Sequence, residues 1–93
     1  MARITDTLSK VMEKVEAIQY ADGDRHWYKN GKLHRAGDLP AIEYANGTRY
    51  WYKDGKRHRD GDLPAIERSN GIRSWYKNGV EYTPFWGTLG EVR

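Results

Sequence analysis

Histidine and aspartate recur at a fixed spacing in this chain. His34 is followed four residues later by Asp38, and His58 is followed in the same way by Asp62. Both groups ligate Zn²⁺, but a metal site needs ligands that converge on one point. The two pairs occupy equivalent positions of a repeat and should lie one repeat apart, and the third repeat has Tyr82 at the histidine position. We therefore expect no metal or other cofactor, a structural role for each histidine stacked on tryptophan, and bonds from each aspartate to backbone amides of its own loop.

Nucleophilic catalysis is not indicated either. Ser9, Ser69 and Ser74 have no histidine and acid arranged around them in a repeated sheet, and the carboxylates fall mainly in turns or opposite basic residues. Every glycine belongs to a turn or to the C-terminal tail, so no phosphate-binding loop is present. We expect a protein that is not an enzyme.

A basic and a tyrosine set remain as candidate binding groups. The basic set alternates with tryptophan on one predicted face and consists of Arg25, Lys29, Arg49, Lys53, Arg73 and Lys77. Such an arrangement is able to stack bases and neutralise phosphates. In the alternative interpretation, the alkyl stems flank a tryptophan core while the charges reach water, helped by cation–π contacts.

The tyrosine set is the better candidate for a surface that binds a protein partner. Tyr28, Tyr52 and Tyr76 recur at the same repeat position, while Tyr50 and Arg57 stand beside them at positions that vary between repeats. Tyrosine is enriched at the energetic centres of interfaces. These five residues form the predicted site, and the alternative is that the rings merely cover the sheet or pack at a homodimer contact.

A repeat of 24 residues must position all of these groups. Residues 17–40, 41–64 and the shortened 65–84 align without gaps, and the first two units agree at 17 of 24 positions. Agreement at this level identifies a repeat protein, in which each unit packs against the next and the ends require caps.

Each unit carries two hairpin signals. The six dipeptides are Asp22-Gly23, Asn30-Gly31, Asn46-Gly47, Asp54-Gly55, Asn70-Gly71 and Asn78-Gly79. Asn-Gly and Asp-Gly favour two-residue type I′ turns, in which both residues have positive φ. That register pairs Ile42 with Trp51 and Trp51 with His58, so one face should carry the isoleucine, tryptophan and histidine columns. The other should carry the tyrosine ladder beside Ala17, Ala41 and Ala65.

The segments outside the repeats differ in pattern. Apolar side chains recur at helical spacing from Ile4 through Val11 and Val15 to Ile18, which predicts an N-terminal amphipathic helix over residues 1–16. We expect this helix to pack on the tryptophan face or the first sheet edge. Residues 85–93 are apolar enough to cap the last strand or to dock on a partner or a second copy. The predicted fold is therefore mainly β, of the α+β class: a single-layer antiparallel meander or solenoid of three repeats with an N-terminal helix.

Composition limits the remaining possibilities. The chain has 93 residues, no cysteine and a net charge of +3, which suits one small domain held together by packing. No apolar run approaches the ~20 residues of a membrane span, and no secretory signal is apparent. We expect a cytoplasmic protein with only a weak attraction to anions.

The string "YWYKDGKRHRDGDLPAIEYANG" resembles a MORN repeat, and it is still more similar to the degenerate "WYxNGKxHRxDGPA" repeats of phage, giant-virus and bacterial proteins. The resemblance covers residues 17–84, although "GDLPA" replaces the Gly-x-Gly of the MORN pattern. It implies a single-layer β-solenoid with a binding role and no catalytic residues.

We expect a non-enzymatic protein-binding module, a phage-encoded inhibitor of anti-CRISPR type that blocks a host defence nuclease complex in the host cytoplasm. The alternative is binding of nucleic acid, nucleotide or anionic lipid through the basic set, and a homodimer through a sheet edge or the tail is a further expectation.

Overall fold

The computed structural model describes residues 13–84, which form β-strands without a helix. The strands are β1 Val15–Gln19, β2 Arg25–Lys29, β3 Lys32–Leu33, β4 Ile42–Glu43, β5 Arg49–Tyr50, β6 Tyr52–Lys53, β7 Lys56–Arg57, β8 Ile66–Glu67, β9 Arg73–Lys77 and β10 Val80–Tyr82. Eight strands join one antiparallel sheet, in the order β1-β2-β4-β5-β8-β9-β10 with β3 paired to β2, and β6 and β7 form a two-stranded sheet. The mainly β, antiparallel part of the predicted fold is confirmed.

The second turn of each unit has the predicted form. Lys29 lies opposite Lys32, Lys53 opposite Lys56 and Lys77 opposite Val80, so each loop contains two residues. The first loop residue has φ of 51°, 50° and 50° in the three units, and the glycine after it is also positive. Asn and Asp tolerate this left-handed conformation better than most residues, as a type I′ turn requires.

The first turn of each unit is not a two-residue turn, and that prediction was wrong. Glu43 lies opposite Arg49, which leaves a three-residue loop between Tyr44 and Thr48, and only Gly47 has positive φ. The Asn46 side chain instead accepts a hydrogen bond from the Thr48 amide at 2.9 Å. Asn70 and Asp22 make the same local bond in the other units. An Asx turn followed by a left-handed glycine is the other common hairpin loop, and it shifts the register by one residue.

This shift exchanges two columns of side chains between the faces. Ile42 lies opposite Tyr50 rather than Trp51, and Tyr50 lies opposite Ile66. Since directly opposed residues share a face, the isoleucines lie on the side of the tyrosines, which we call the tyrosine side. The alanines lie on the opposite, tryptophan side, where Ala41 and Ala65 are 0% exposed. Alanine leaves room for the neighbouring indoles, which gives the observed register a packing advantage.

Successive units are joined by a set of hydrogen bonds that recurs every 24 residues. The Leu33 carbonyl accepts from the Gly55 amide, as the Arg57 carbonyl does from Gly79, both at 2.8 Å. The Asp24 carboxylate accepts from the Ala45 amide, and the Thr48 hydroxyl accepts from the Ser69 amide. A side chain with an acceptor oxygen is therefore needed at this position, although Asp and Thr look unrelated in the alignment.

The predicted N-terminal helix falls mostly on residues 1–12, which lie outside the described part of the chain. Val15 and Ile18, which the helical spacing included, belong instead to strand β1, where Ile18 lies opposite His26. Pairing with β2 overrides the helical period for these residues, so that part of the prediction was wrong. The predicted C-terminal cap, residues 85–93, also lies outside the described residues.

Candidate functional site

The predicted partner-binding residues lie together on the tyrosine side. Tyr28, Tyr52 and Tyr76 point to this side from β2, β6 and β9, and Tyr50 joins them because it is two residues from Tyr52. Arg57 reaches the same side from β7, directly opposite Tyr52. All five side chains are half-buried. The structure thus brings the whole predicted set onto one surface.

Arg57 is the centre of this surface. Its Nε donates to the Tyr52 hydroxyl at 3.3 Å, and its Nη1 donates to the Tyr76 hydroxyl at 3.4 Å. The guanidinium carbon is 5.3 Å from the ring centroids of both Tyr50 and Tyr76. The hydrogen bond that Arg57 donates to Tyr52 raises the pKa of Arg57 more than burial lowers it, so the group is a permanent cation in an aromatic cage.

The aromatic surface extends from this cage towards the first repeat. Tyr44 meets Tyr50 edge-on with ring centroids 5.5 Å apart, and His26 lies 6.3 Å from Tyr44. His26 Nδ1 is 3.3 Å from the Tyr28 hydroxyl and completes the connection to that ring. Tyr44 and His26 were absent from the predicted site. Alternation along β2 would have indicated His26, which is two residues from Tyr28. Tyr44 is two residues beyond Ile42, and a three-residue first loop would have placed it on this side.

Burial raises the pKa of two of these phenols. For Tyr28 the neighbouring Tyr20 adds to the effect of burial, and for Tyr44 the neighbouring Tyr50 does so. Both groups therefore stay neutral around pH 7. The surface offers neutral hydroxyls and ring edges with cationic groups set among them.

The alternative, basic set lies on the tryptophan side, and most of it is paired with acids. Arg25 is 3.3 Å from Glu43, and Arg49 is 3.3 Å from Glu67. Lys29 lies 3.5 Å from Glu13, and Lys77 lies 3.8 Å from Asp62. Lys53 and Arg73 are exposed on the same side. The carboxylates neutralise much of the charge that a phosphate would use.

Two arginines that the sequence argument overlooked cover the indoles. The Arg35 guanidinium carbon lies 3.6 Å from the Trp27 ring centroid, and that of Arg59 lies 3.8 Å from Trp51. Arg59 also forms a two-point bond with the Asp38 carboxylate and donates to the Pro64 carbonyl at 3.0 Å. The repeated His-Arg dipeptide was the available signal. Cation–π contact is present as expected, but the closest contacts come from this column.

The repeated histidines link units and do not converge. His34 Nδ1 accepts from the Asp54 amide at 3.0 Å, and His58 Nδ1 accepts from the Asn78 amide at 3.1 Å. Their structural role is therefore carried by backbone hydrogen bonds. The aspartates differ from the prediction as well, because Asp38 binds Arg59 and Asp62 accepts from the Tyr82 hydroxyl, both from the following unit. In residues 13–84 no group of three or more His, Cys, Asp or Glu side chains is arranged to hold a metal.

A cleft of about 210 Å³ lies on the tryptophan side between the two histidines. It is lined by His34, His58, Arg59 and Asp38, and each of these side chains already bonds within the fold. The polar groups of the cleft therefore serve to join one unit to the next.

No family model, curated protein or solved structure matches the chain. Across the described range, no helix is long and apolar enough to cross a membrane.

Proposed function

We propose that this chain is a protein-binding module and that the tyrosine side is its contact surface. The observation that carries the proposal is the Arg57 cage, in which a permanent cation is held by the hydroxyls of Tyr52 and Tyr76 and by two ring faces. Tyrosine and arginine are the residues that most often anchor interfaces. A cluster of them, contributed by strands β5, β6, β7 and β9, fits an anchor for a partner.

Preorganisation supports the same conclusion. The rings pack on one another and are half-buried, so much of their rotational freedom is already lost before any partner arrives. Ordering a side chain at an interface otherwise costs about 0.5–1.5 kcal/mol. A surface fixed in advance avoids that cost.

A binding role without catalysis accords with the electrostatics. Catalytic acids and bases operate with a pKa near the working pH. Burial instead moves the pKa of Tyr28 and Tyr44 upwards, away from neutrality. The proposal therefore assigns no catalytic role to the tyrosine side.

The resemblance to MORN-like repeats is the sole support for a solenoid and for a phage-encoded inhibitor of a host defence complex. Anion binding through Arg25, Lys29, Arg49, Lys53, Arg73 and Lys77 is the second candidate, and the carboxylates beside four of these cations count against it.

Tyr52→Ala tests the proposal against a matched control. Lys53 is the next residue, is exposed and points to the tryptophan side, so Lys53→Ala changes the opposite face of the same strand. Each variant and the parent are used to capture proteins from a lysate of the source cells, before and after nuclease treatment. We expect a protein that the parent and Lys53→Ala capture equally and that Tyr52→Ala binds more weakly by about 2 kcal/mol or more, roughly 30-fold in affinity.

Two results would count against the proposal. Equal binding of the captured protein by Tyr52→Ala and the parent would remove the tyrosine side from the interface. Loss of capture after nuclease treatment, together with loss in Lys53→Ala, would move the function to the basic set.

A further inference from the structure

Two arginines on the tyrosine side approach the same ring without a carboxylate between them. Arg57 lies over the face of Tyr50, and Arg68 Nη1 donates to the Tyr50 hydroxyl at 3.4 Å. Both guanidiniums contact phenol oxygens, and Arg57 also contacts rings. Both cations therefore contact one tyrosine, and no carboxylate among residues 13–84 lies within ion-pair distance of either.

On the tryptophan side, most arginines do have a neighbouring carboxylate. There Arg25, Arg35, Arg49 and Arg59 each lie 2.9–3.3 Å from a carboxylate oxygen. Within residues 13–84, each of these four guanidiniums therefore has an acid beside it, and the pair at Tyr50 has none. An external anion would supply the missing charge.

We propose that Arg57 and Arg68 together bind a carboxylate in an acidic segment of the protein partner; this inference rests on the proposed function of the tyrosine side. Arg57 uses Nε and Nη1 for tyrosines, and Arg68 uses Nη1 for Tyr50, which leaves Nη2 of each arginine to donate. Charge-assisted bonds from guanidinium to carboxylate are about twice as strong as neutral ones. One Asp or Glu side chain would bond to both arginines.

The charges around the pair favour one carboxylate over a long polyanion. Glu16 lies opposite Tyr28 at one end of the aromatic surface, and Glu81 lies opposite Tyr76 at the other. A nucleic acid strand that follows the surface would bring phosphates against these acids. A protein segment carries its negative charge at discrete side chains and avoids them.

The ring geometry also disfavours base stacking. Proteins that bind single strands present open aromatic faces beside a row of cations. Here the guanidinium of Arg57 lies over the rings of Tyr50 and Tyr76, and Tyr44 packs edge-on against Tyr50. The hydroxyls remain able to donate hydrogen bonds to a protein, and the ring edges remain able to pack against it.

The test uses three probes on the full chain: a short glutamate-rich peptide, the same peptide with glutamine in place of glutamate, and a short oligothymidylate. The Nε–H signals of arginine in ¹⁵N-labelled protein report which guanidinium is contacted. We expect the glutamate peptide to shift Arg57 and Arg68, and the glutamine peptide to leave them unchanged. Tighter binding of oligothymidylate at the same two signals would overturn the inference in favour of nucleic acid.

Arg57→Gln, Arg68→Gln and Arg49→Gln complete the design. Arg68 is exposed, so its variant retains the fold even where loss of Arg57 disturbs the cage. Arg49 lies on the tryptophan side and is the matched control. We expect about a fivefold or greater loss of peptide affinity for the first two and no change for Arg49→Gln, as for removal of one charge-assisted contact. An equal loss of peptide affinity in all three variants would show that the peptide responds only to the net charge of the protein, and it would overturn the inference.

Failure of this inference can be told apart from failure of the proposed function. The glutamate peptide could fail to bind while Tyr52→Ala still lowers the affinity for the captured protein. In that case the tyrosine side is an interface, but its ligand is not a carboxylate. If Tyr52→Ala also has no effect, both are wrong.

Discussion

On the tryptophan side of the sheet, arginine holds the repeats together. Arg59 covers Trp51, forms a two-point bond with Asp38 and donates to a proline carbonyl, and its side chain is only 12% exposed. On the tyrosine side Arg57 is also held by aromatic rings, yet its hydrogen bonds end on neutral hydroxyls. Four arginines on the tryptophan side are paired with carboxylates, whereas Arg57 has no ion-pair partner among residues 13–84. This contrast is the reason to place stability on the first side and recognition on the second.

Loss of an indole should have the largest effect on stability. Trp51 is 5% exposed, and its Nε1 donates to the Asp38 carbonyl at 3.1 Å. Truncation of such a residue leaves a cavity and an orphaned carbonyl, so we expect Trp51→Ala to lower the free energy of unfolding by about 3–5 kcal/mol. Urea denaturation followed by circular dichroism measures this. A loss no greater than that of Tyr52→Ala would remove the distinction between the sides.

Arg59→Ala should come next, with Arg35→Ala as its matched control. Both arginines cover a tryptophan, donate to a proline carbonyl and meet a glutamate, but Arg59 alone adds the Asp38 carboxylate. We expect Arg59→Ala to cost about 2–3 kcal/mol of unfolding free energy, since charge-assisted bonds are worth about 1.5–3 kcal/mol each and those of Arg59 are partly exposed. Arg35→Ala should lower the unfolding free energy by a smaller amount, and the difference measures the contribution of the bonds between Arg59 and Asp38. Equal losses would show that Asp38 adds no stability.

Much of the tyrosine side was predictable from the sequence, whereas the isoleucine and alanine columns were not. The two-residue turns place Arg57 opposite Tyr52 and Glu81 opposite Tyr76, and alternation along the strand then places Tyr50 beside Tyr52. The Asn-Gly dipeptide alone does not distinguish a two-residue loop from a three-residue loop with a left-handed glycine. In the observed register Ala41 and Ala65 are buried, and their carbonyls accept from the Trp27 and Trp51 amides of the preceding units, which are contacts between units.

The contacts of Arg35 and Arg59 with tryptophan could not be predicted from the sequence for a similar reason. Arg35 and Arg59 follow the strands in sequence, and their reach back to Trp27 and Trp51 depends on the path of the loop. That loop contains Gly37 and Asp38, both with positive φ. Positive φ is uncommon for residues other than glycine, and although aspartate tolerates it, sequence pattern alone does not predict which aspartate adopts it.

The two kinds of loop give a matched pair of asparagine variants with an effect of about 1 kcal/mol. Asn78 has φ of 50°, whereas Asn70 lies in the three-residue loop and its side chain accepts from the Ile72 amide at 3.0 Å. Glycine relieves left-handed strain, so Asn78→Gly should leave stability within about 0.5 kcal/mol of the parent or raise it. Asn70→Gly loses a hydrogen bond and should cost about 1 kcal/mol. Equal responses in thermal denaturation would indicate that both loops have the same form and would contradict the assigned register.

The smallest expected effect concerns alkaline pH. Burial first, and the neighbouring Tyr50 second, raise the pKa of Tyr44 above its ordinary value of 10.0. The unfolded chain then releases this proton before the folded one does. The stability contributed by the neutral phenol is complete below the unfolded pKa and is lost as pH rises through the folded pKa. Unfolding free energy should decline less steeply above pH 10.0 in Tyr44→Phe than in the parent, and identical declines would exclude this contribution.

The most direct test of the contrast between the sides is an NMR comparison of the labelled chain free and bound to the protein that it captures. Ring signals of Tyr50, Tyr52 and Tyr76 report on the tyrosine side, and the indole N–H signals of Trp27 and Trp51 report on the other. We expect the tyrosine signals to shift or broaden on binding while the indole signals stay in place. Shifts confined to the indoles and the neighbouring basic residues would contradict the account and place the interface on the tryptophan side.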